Sequence, residues 1–443
     1  VTKQEVLKAV EEQGINLIRH VFVGFDGISR GRVLLKESLP SSLESGTGIT
    51  TSVQEFNNLD ELVPGGSGPV GEVILVPDPD TFTILPNTEN SAMMLCDFQT
   101  YEKKPWALCP RTFLKRILRQ VEEMGYCAQC AIEDEFYLFE LDGDEVRPFD
   151  EELYSSVGGM NTADEIASEM ITCLQAMGIP VQKYHPEYGP GQQEIVVGHT
   201  NPLKAADNQV MLKDAIKGVA VNNGLVASFM PKPIGNKSGC GAHLHIGFCD
   251  ESGKNLFYDQ KDRNQLSLVG YHFIGGVLKH LSGLLAVTAS TVNSYKRLQP
   301  GNWASAFTCY GYQNREAAVR IVGSRDSLHL ELKPMDPCCN PYLATGCVLA
   351  AGLDGIANNI DPGDTGAETD PQLIDPEARR RRGIRRFPEN LSYALDELSR
   401  DDFLLSIMGD EFSQAYLRTK RSEWDAYAAH VTDWEIKHYL TVF

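Results

Sequence analysis

The chain has 443 residues, 42% of them hydrophobic and 23% charged, a make-up that fits a globular protein with one large and one smaller domain and excludes extensive disorder. With 40 basic against 60 acidic side chains the formal charge is −20, which excludes nucleic acid as a partner because phosphate binding needs a basic face. No apolar run approaches the roughly 20 residues that cross a bilayer, so no membrane partner is expected.

Residues 1–105 read as a small domain rich in strands and turns. VTKQEVLKAVEEQG predicts an amphipathic helix without the apolar core of a signal peptide, and a cytoplasmic protein is expected. IRHVFVGFDGISRGRVLL predicts a hairpin turning at Asp26-Gly27, PGGSGPVG (64–71) a flexible loop, and VILVPDPDTFTILP a further strand with a proline-bounded exit. CPRTFLKRILRQVEEMGY then predicts a helix entered through Pro110 and closed at Gly125. It opens a second domain, 106–443, in which strands and helices are expected to alternate to the end, as in an α+β or α/β fold. The run ARRRRGIRR, Ala378 to Arg386, reads as a solvated helix or loop, with nucleotide phosphates or an acidic neighbouring subunit as its alternative partners. From Arg418 a helical stretch is expected, with Trp424, Tyr427, Trp434 and Tyr439 as packing residues. The 11 cysteines are odd in number and lack framework spacing, which fits reduced thiols; Cys127 and Cys130 form a C-x-x-C in strand-like text with no second pair to complete a zinc site.

Two short words carry the chemistry. E-D-E at Glu133 to Glu135 and H-L-H at His243 to His245 place metal-competent groups two residues apart, and on a strand such pairs point to one face. Glu187 and Glu194 flank the loop of HPEYGPGQQE, and Glu331 lies in LHLELK, where leucines alternate with His329, Glu331 and Lys333. These carboxylates with one or two imidazoles would repel one another and resist burial unless cations neutralised them. An oxygen-rich donor set with little nitrogen favours Mg²⁺ or Mn²⁺ over zinc.

The segments EDEFYLF, EYGPGQQE, FMPKPIGNKSGCGAHLH, NSYKRLQPG, NREAAVR and CNPYLA, in that order, resemble the glutamine synthetase superfamily over roughly residues 15–443. The resemblance implies an α+β architecture: an N-terminal β-grasp domain, and a catalytic domain whose curved antiparallel sheet forms an open barrel. It implies a homo-oligomer of stacked hexameric rings with active sites between subunits. It assigns Glu135, Glu187 and Glu194 to one metal ion and Glu133, His243 and Glu331 to the other. It also implies Arg315 and Arg320 facing phosphates, Arg297 gripping the substrate carboxylate, His245 and His329 at the ATP site, and Gly239 and Lys333 at the glutamate site. The activity implied is ATP-dependent: a carboxylate is phosphorylated and an amine then displaces phosphate, with cations and guanidinium groups neutralising the charge that develops.

Two departures bear on the amine. The Asp-Gly-Ser-Ser word of ammonia-using members is missing from SVQEFNNLDELVPGG, and the flap that usually reads Pro-Gly-Tyr-Glu-Ala-Pro is PGNWASAF, with Trp303 in place of the glutamate. Losing two anions removes the electrostatic reason for NH₄⁺ to bind, whereas an indole offers apolar area or a cation–π face. The expected activity is therefore a γ-glutamyl-amine ligase, in the pattern of the methylamide, polyamine and anilide synthetases. The alternatives are a glutamine synthetase using ammonia and a non-catalytic ring-forming relative. Trp303 favours an apolar or aromatic amine, Glu55, Asp60 and Glu61 a polyamine. Lys333, where the family carries an arginine, cannot reproduce a bidentate fork on the glutamate carboxylate.

Overall fold

Two sheets organise the chain in the computed structural model, which describes residues 1–143 and 145–443. The N-terminal sheet runs in the order Ser29–Leu35, Leu17–Val23, Ser91–Gln99, Glu72–Pro77, Thr47–Thr50, with Thr83–Ile84 paired to Ser91–Gln99. Leu17–Val23 and Ser29–Leu35 form the expected antiparallel hairpin. Its turn needs Gly27: φ is +80°, and a Cβ there would lie 1.9 Å from the Cys338 carbonyl oxygen, so the hairpin tip rests on the catalytic domain. The N-terminal helix, Lys3–Glu12, opens with a capping box between Thr2 and Glu5 and buries Val6 and Val10 against Ile18, Leu39 and Met94.

The helix Pro110–Glu123 buries Phe113, Leu114, Ile117, Leu118 and Val121 on one face and ends before Gly125, whose φ is +82°. It also carries Arg111, a buried joint between the N-terminal sheet and the helix Pro202–Asn222. Arg111 donates to both carboxylate oxygens of Asp207 at 2.9 Å, to Asp78 at 2.8 Å and to Asp97 at 3.1 Å, while the Tyr342 hydroxyl donates to Asp207 at 2.8 Å.

The large sheet curls into a half-barrel. Its order is Tyr310–Tyr312, Val319–Val322, His329–Leu332, Ala242–Cys249, Cys127–Asp142, Gln192–Val197, Val181–Pro186, with Leu225–Ser228 and Glu145–Pro148 paired to the far half of the long central strand. All pairs are antiparallel, as expected, except the edge pair Tyr310–Tyr312 with Val319–Val322, which is parallel. Strand alternation sorts the side chains. Ile132, Phe136, Leu244, Ile246, Leu330 and Leu332 enter the main core beneath the helices Pro202–Asn222, Leu268–Thr288 and Pro341–Ala357, while the acids and imidazoles between them face the opposite side.

Three expectations are corrected. Strands and helices do not alternate to the end: among the described residues the last strand is His329–Leu332, and every later element is helical. The cause is legible in the apolar spacing, since Leu391, Ala394, Leu395 and Leu398, then Phe412, Ala415 and Tyr416, recur at helical intervals and are buried. The stretch from Arg418 is broken: one helix, Asp410–Ala429, ends at His430, and Thr432 with Glu435 forms a capping box that starts another, Asp433–Tyr439. Trp424 packs on the core, but Tyr427 is only partly covered, and Trp434 and Tyr439 are largely exposed and meet mainly their own neighbours His438 and Phe443. In the basic run, Arg379 and Arg386 are not simply solvated, for both guanidinium groups lie over the Phe307 ring, 4.6 and 5.9 Å from its centre.

Candidate active site

Pairing between strands assembles the site. Glu194 lies opposite Glu135, His243 opposite Glu133, His245 opposite Glu331, and Glu331 opposite Arg320. Four neighbouring strands thus aim acids and imidazoles at one another. Glu187 joins them from the turn after Val181–Pro186, where its backbone N–H donates to the Gln192 carbonyl at 2.7 Å.

Every site residue expected from the sequence lines a single cavity of about 930 Å³: Glu133, Glu135, Glu187, Glu194, Gly239, His243, His245, Arg297, Trp303, Arg315, Arg320, His329, Glu331 and Lys333. Glu135 Oε2 is held by the Gly241 N–H and the Gln192 amide, each at 3.0 Å, and the same amide donates to the Gly239 carbonyl at 3.1 Å. A side chain at position 239 would collide with the Pro231 carbonyl at 2.4 Å and the Arg297 stem at 2.9 Å, so only glycine lets these segments meet. Arg297 is almost wholly buried; its Nη2 donates to the Lys333 carbonyl at 3.0 Å and its Nη1 has no partner among the described residues. A buried guanidinium nitrogen left free beside a cavity is suited to an anionic ligand.

Charge divides the cavity into two halves. In the first, burial and then the neighbouring Glu187 push Glu135 up to about 7, and burial with Glu133, Glu135 and Glu187 raises Glu194 well above the usual carboxylate range. In the second, burial by itself would raise Glu331, but Lys333, His245, His243 and Arg320 hold it well below normal. Arg320 pairs with Glu331 directly, and Lys333 Nζ lies 3.5 Å from Glu331 Oε1 and 3.3 Å from His243 Nε2. Burial and then Lys333 drive His243 well down, so it is a neutral imidazole. The first half therefore crowds acids whose mutual repulsion outweighs their cationic neighbours, which fits a hard divalent cation; in the second, Glu331 is already matched by cationic side chains.

These opposed states give a test. A native carboxyl titrating above its unfolded value binds more protons than the unfolded chain, so the cation-free protein loses stability as pH rises from about 4.5 through 7. Mg²⁺ or Mn²⁺ must displace those protons. Calorimetric titration in buffers of different ionisation enthalpy is expected to show proton release on binding near pH 6.5, with affinity rising by about tenfold per pH unit for each proton displaced. Binding without proton exchange would contradict the assignment of Glu135 and Glu194.

Some lining residues escaped the sequence reading. His185 Nε2 lies 2.9 Å from Glu187 Oε1 and 4.0 Å from Glu194 Oε1. It stands two residues before Glu187, the same spacing that exposed the other pairs. His199 follows the end of its strand, where alternation no longer reports direction, yet its ring centre is 4.9 Å from that of His329 and 6.0 Å from that of His245. With His243 these residues give the cavity five imidazoles rather than one or two. Burial lowers His329 to about 4 and also lowers His199.

The mouth is aromatic. Trp303 is half-exposed with φ +54°, a left-handed conformation costly for a bulky residue, and Ser305 in the same flap has φ +66°. The buried Glu316 carboxylate accepts the Trp303 N–H at 2.8 Å and fixes that turn. Trp303 lies 5.9 Å from Tyr188, and Tyr188 lies 5.3 Å from Tyr154, between ring centres.

Residues 2–106 match the family described as glutamine synthetase N-terminal domain, and residues 107–439 the one described as glutamine synthetase, catalytic domain. This chain belongs to the glutamine synthetase family. Glutamine synthetases of Halobacterium salinarum and Methanosarcina mazei are 35% and 36% identical to it, covering 100% of this chain and 97% and 98% of theirs. Among solved structures, a GmaS/ADP complex superposes with a TM-score of 0.88 at 28% identity, covering 98% of this chain and 99% of that one, and a glutamine synthase homolog with 0.84 at 30%, covering 97% and 99%. As a glutamine synthetase family member the chain is an ATP-dependent carbon–nitrogen ligase. No helix among the described residues is long and apolar enough to cross a membrane.

Proposed function

We propose that this ligase joins L-glutamate to a small organic amine through a γ-glutamyl phosphate, making a γ-glutamyl amide. The observation that carries the reading is the aromatic flap: Trp303 closes on Tyr188 where an ammonia-using site would need an anion. Glu316, the acid nearest the flap, is committed to the Trp303 backbone, and it is missing from the side chains that line the cavity. The likeness to GmaS, a γ-glutamylmethylamide synthetase, supports the same choice. Of the acids that suggested a polyamine, Glu55 is already engaged, pairing with Arg418 and accepting from Ser67 at 2.6 Å, and Asp60 lies 3.7 Å from Arg30.

In this reading Arg297 binds the α-carboxylate of glutamate through its free Nη1, and Lys333 adds a point charge beside it. Arg315 and Arg320 face the transferred phosphoryl group, and His245 and His329 line the ATP site. Glu135, Glu187 and Glu194 would hold one Mg²⁺ or Mn²⁺ and Glu133, His243 and Glu331 a second; the ions supply charge neutralisation for phosphoryl transfer. We assign residues 1–105 and 106–443 to the two domains, and infer a cytoplasmic homo-oligomer of stacked rings. Purified enzyme with ATP, glutamate and Mg²⁺ is expected to release phosphate faster with methylamine or a larger alkylamine than with ammonium, with the amide identified by mass. Equal or faster turnover with ammonium would return the choice to a glutamine synthetase.

Glu316 acts through the flap. Glu316→Ala removes the acceptor that fixes Trp303 and is expected to raise KM for the amine about tenfold, for a bond worth about 1–2 kcal/mol, with KM for ATP unchanged. Glu316→Gln, which keeps a carbonyl acceptor, is expected to restore most of the loss. Equal rises in the two KM values would show general loosening instead.

A further inference from the structure

Strand geometry breaks up the C-x-x-C word and gives its first cysteine another partner. Cys127 and Cys130 stand three residues apart on the strand Cys127–Asp142, an odd interval that turns them to opposite faces: Cys130 is buried in the main core and Cys127 is exposed. Pairing with Ala242–Cys249 instead sets Cys127 directly opposite Cys249. Opposed residues of an antiparallel pair share a face, with Cα atoms about 4.5–5.5 Å apart, inside the window of about 4.4–6.8 Å that a disulfide spans.

The side chains also meet. The Cys249 thiol donates to the Cys127 carbonyl oxygen at 3.4 Å, and the two thiols stand within hydrogen-bonding reach of each other. Both can be reached from solvent: Cys127 is the one exposed cysteine and Cys249 is half-buried, whereas all the others except Cys338 are buried. Among the described residues neither joins a group of three or more metal-competent side chains, so the pair is suited to thiol exchange rather than to zinc.

We propose that Cys127 and Cys249 form a reversible dithiol–disulfide pair, a covalent clip across the outer end of the two strands that carry the acids and imidazoles of the site. Its oxidant is a small-molecule disulfide of the glutathione class. Cys127, the accessible thiol, attacks one sulfur of the oxidant as a thiolate, breaking that S–S bond and releasing one small thiol; Cys249 then attacks the Cys127 sulfur, closes the protein disulfide and releases the second. The two protein thiols lose two electrons, the oxidant gains two, and the two thiol protons pass to the leaving thiolates. Burial, and after it the Cys127 thiol, raise Cys249 above its ordinary value, which leaves the first attack to Cys127. The pair lies on the strand face that carries His245 and Glu133, so the clip ties the ladder where its end would otherwise fray.

The test equilibrates the full-length protein in glutathione buffers of graded ratio, then quenches in acid, alkylates and maps the peptides by mass. A peptide pair joined through Cys127 and Cys249, lighter by two hydrogens and reversed by dithiothreitol, is expected to appear in a single two-electron transition. Amides at the joined strand ends are expected to exchange with solvent about tenfold more slowly in the oxidised form. Cys127→Ser, a change at an exposed position, is expected to abolish the link and leave Cys249 open to alkylation, while Cys130→Ala leaves the link in place. A stable mixed disulfide on Cys127 beside a free Cys249, a link from Cys127 to Cys130 or to another molecule, or free thiols at every ratio would overturn the pair. A link that leaves amide exchange unchanged would overturn its action as a clip.

Discussion

Trp303→Glu is expected to turn the enzyme toward ammonium. A carboxylate at the flap restores an anion at the amine end of the cavity, and one contact of this kind to a small cation is worth about 1–3 kcal/mol, or roughly 5- to 150-fold in kcat/KM. The same change removes the indole that faces Tyr188, so kcat/KM for an alkylamine is expected to fall by a similar factor, since about 1.5–3 kcal/mol accompanies burial of a large apolar group. The preference, read as the ratio of the two kcat/KM values, therefore moves by the product of both effects. Trp303→Phe separates the contributions: it keeps an aromatic wall without a charge and is expected to keep the alkylamine preference. An amine profile unchanged in Trp303→Glu would show that the flap does not select the nucleophile. The left-handed backbone at Trp303 adds a control, because Trp303→Gly relieves that conformation while deleting the side chain.

The second large effect is structural. Arg111→Ala strips one guanidinium from three carboxylates, Asp78, Asp97 and Asp207, and strands the buried Asp207 against the Tyr342 hydroxyl. Removing one partner of a buried ion pair costs about 3–5 kcal/mol, chiefly through the charge left behind. Lys115 still reaches Asp97 and Asp78, so the loss is expected to centre on Asp207. Urea unfolding followed by fluorescence is expected to show a fall in midpoint, with Arg111→Lys intermediate because a point charge cannot bridge all three acids. Arg111 and Lys115 hold Asp78 below its ordinary value against the burial that would raise it. A depressed carboxylate stabilises above its unfolded pKa, near 4, and that stability is lost as pH falls through the lower folded value. The difference between wild type and Arg111→Ala is accordingly expected to shrink as pH drops below about 4. An unchanged midpoint at pH 7 would show that this cluster does not tie the N-terminal sheet to the helix that carries Asp207.

Much of the site was legible because strands are strict about direction. Glu133 and Glu135, and likewise His243 and His245, needed only the two-residue period to be placed on one face, and the leucines of LHLELK set the facing of Glu331. His185 carried the same two-residue signal and still escaped; the other residues that escaped lie where that period stops. His199 sits just past a strand end, and Tyr154 and Tyr188 come from turns whose direction no short pattern encodes. Helical spacing predicted the helix at Pro110, yet the apolar letters near the C-terminus did not reveal that Trp434 and Tyr439 face outward, because an aromatic residue reads the same whether it packs inside or is displayed.

The hairpin-like precision of the central strands also fixes how this catalyst can fail. One extra residue inserted between Ala242 and His243 would swing both imidazoles into the oily layer occupied by Leu244 and Ile246 and present leucine to the cavity instead. Such a protein would keep every functional side chain in its gene and lose the chemistry entirely. This fold thus tolerates an exchanged letter around the mouth better than a changed count of letters along the wall.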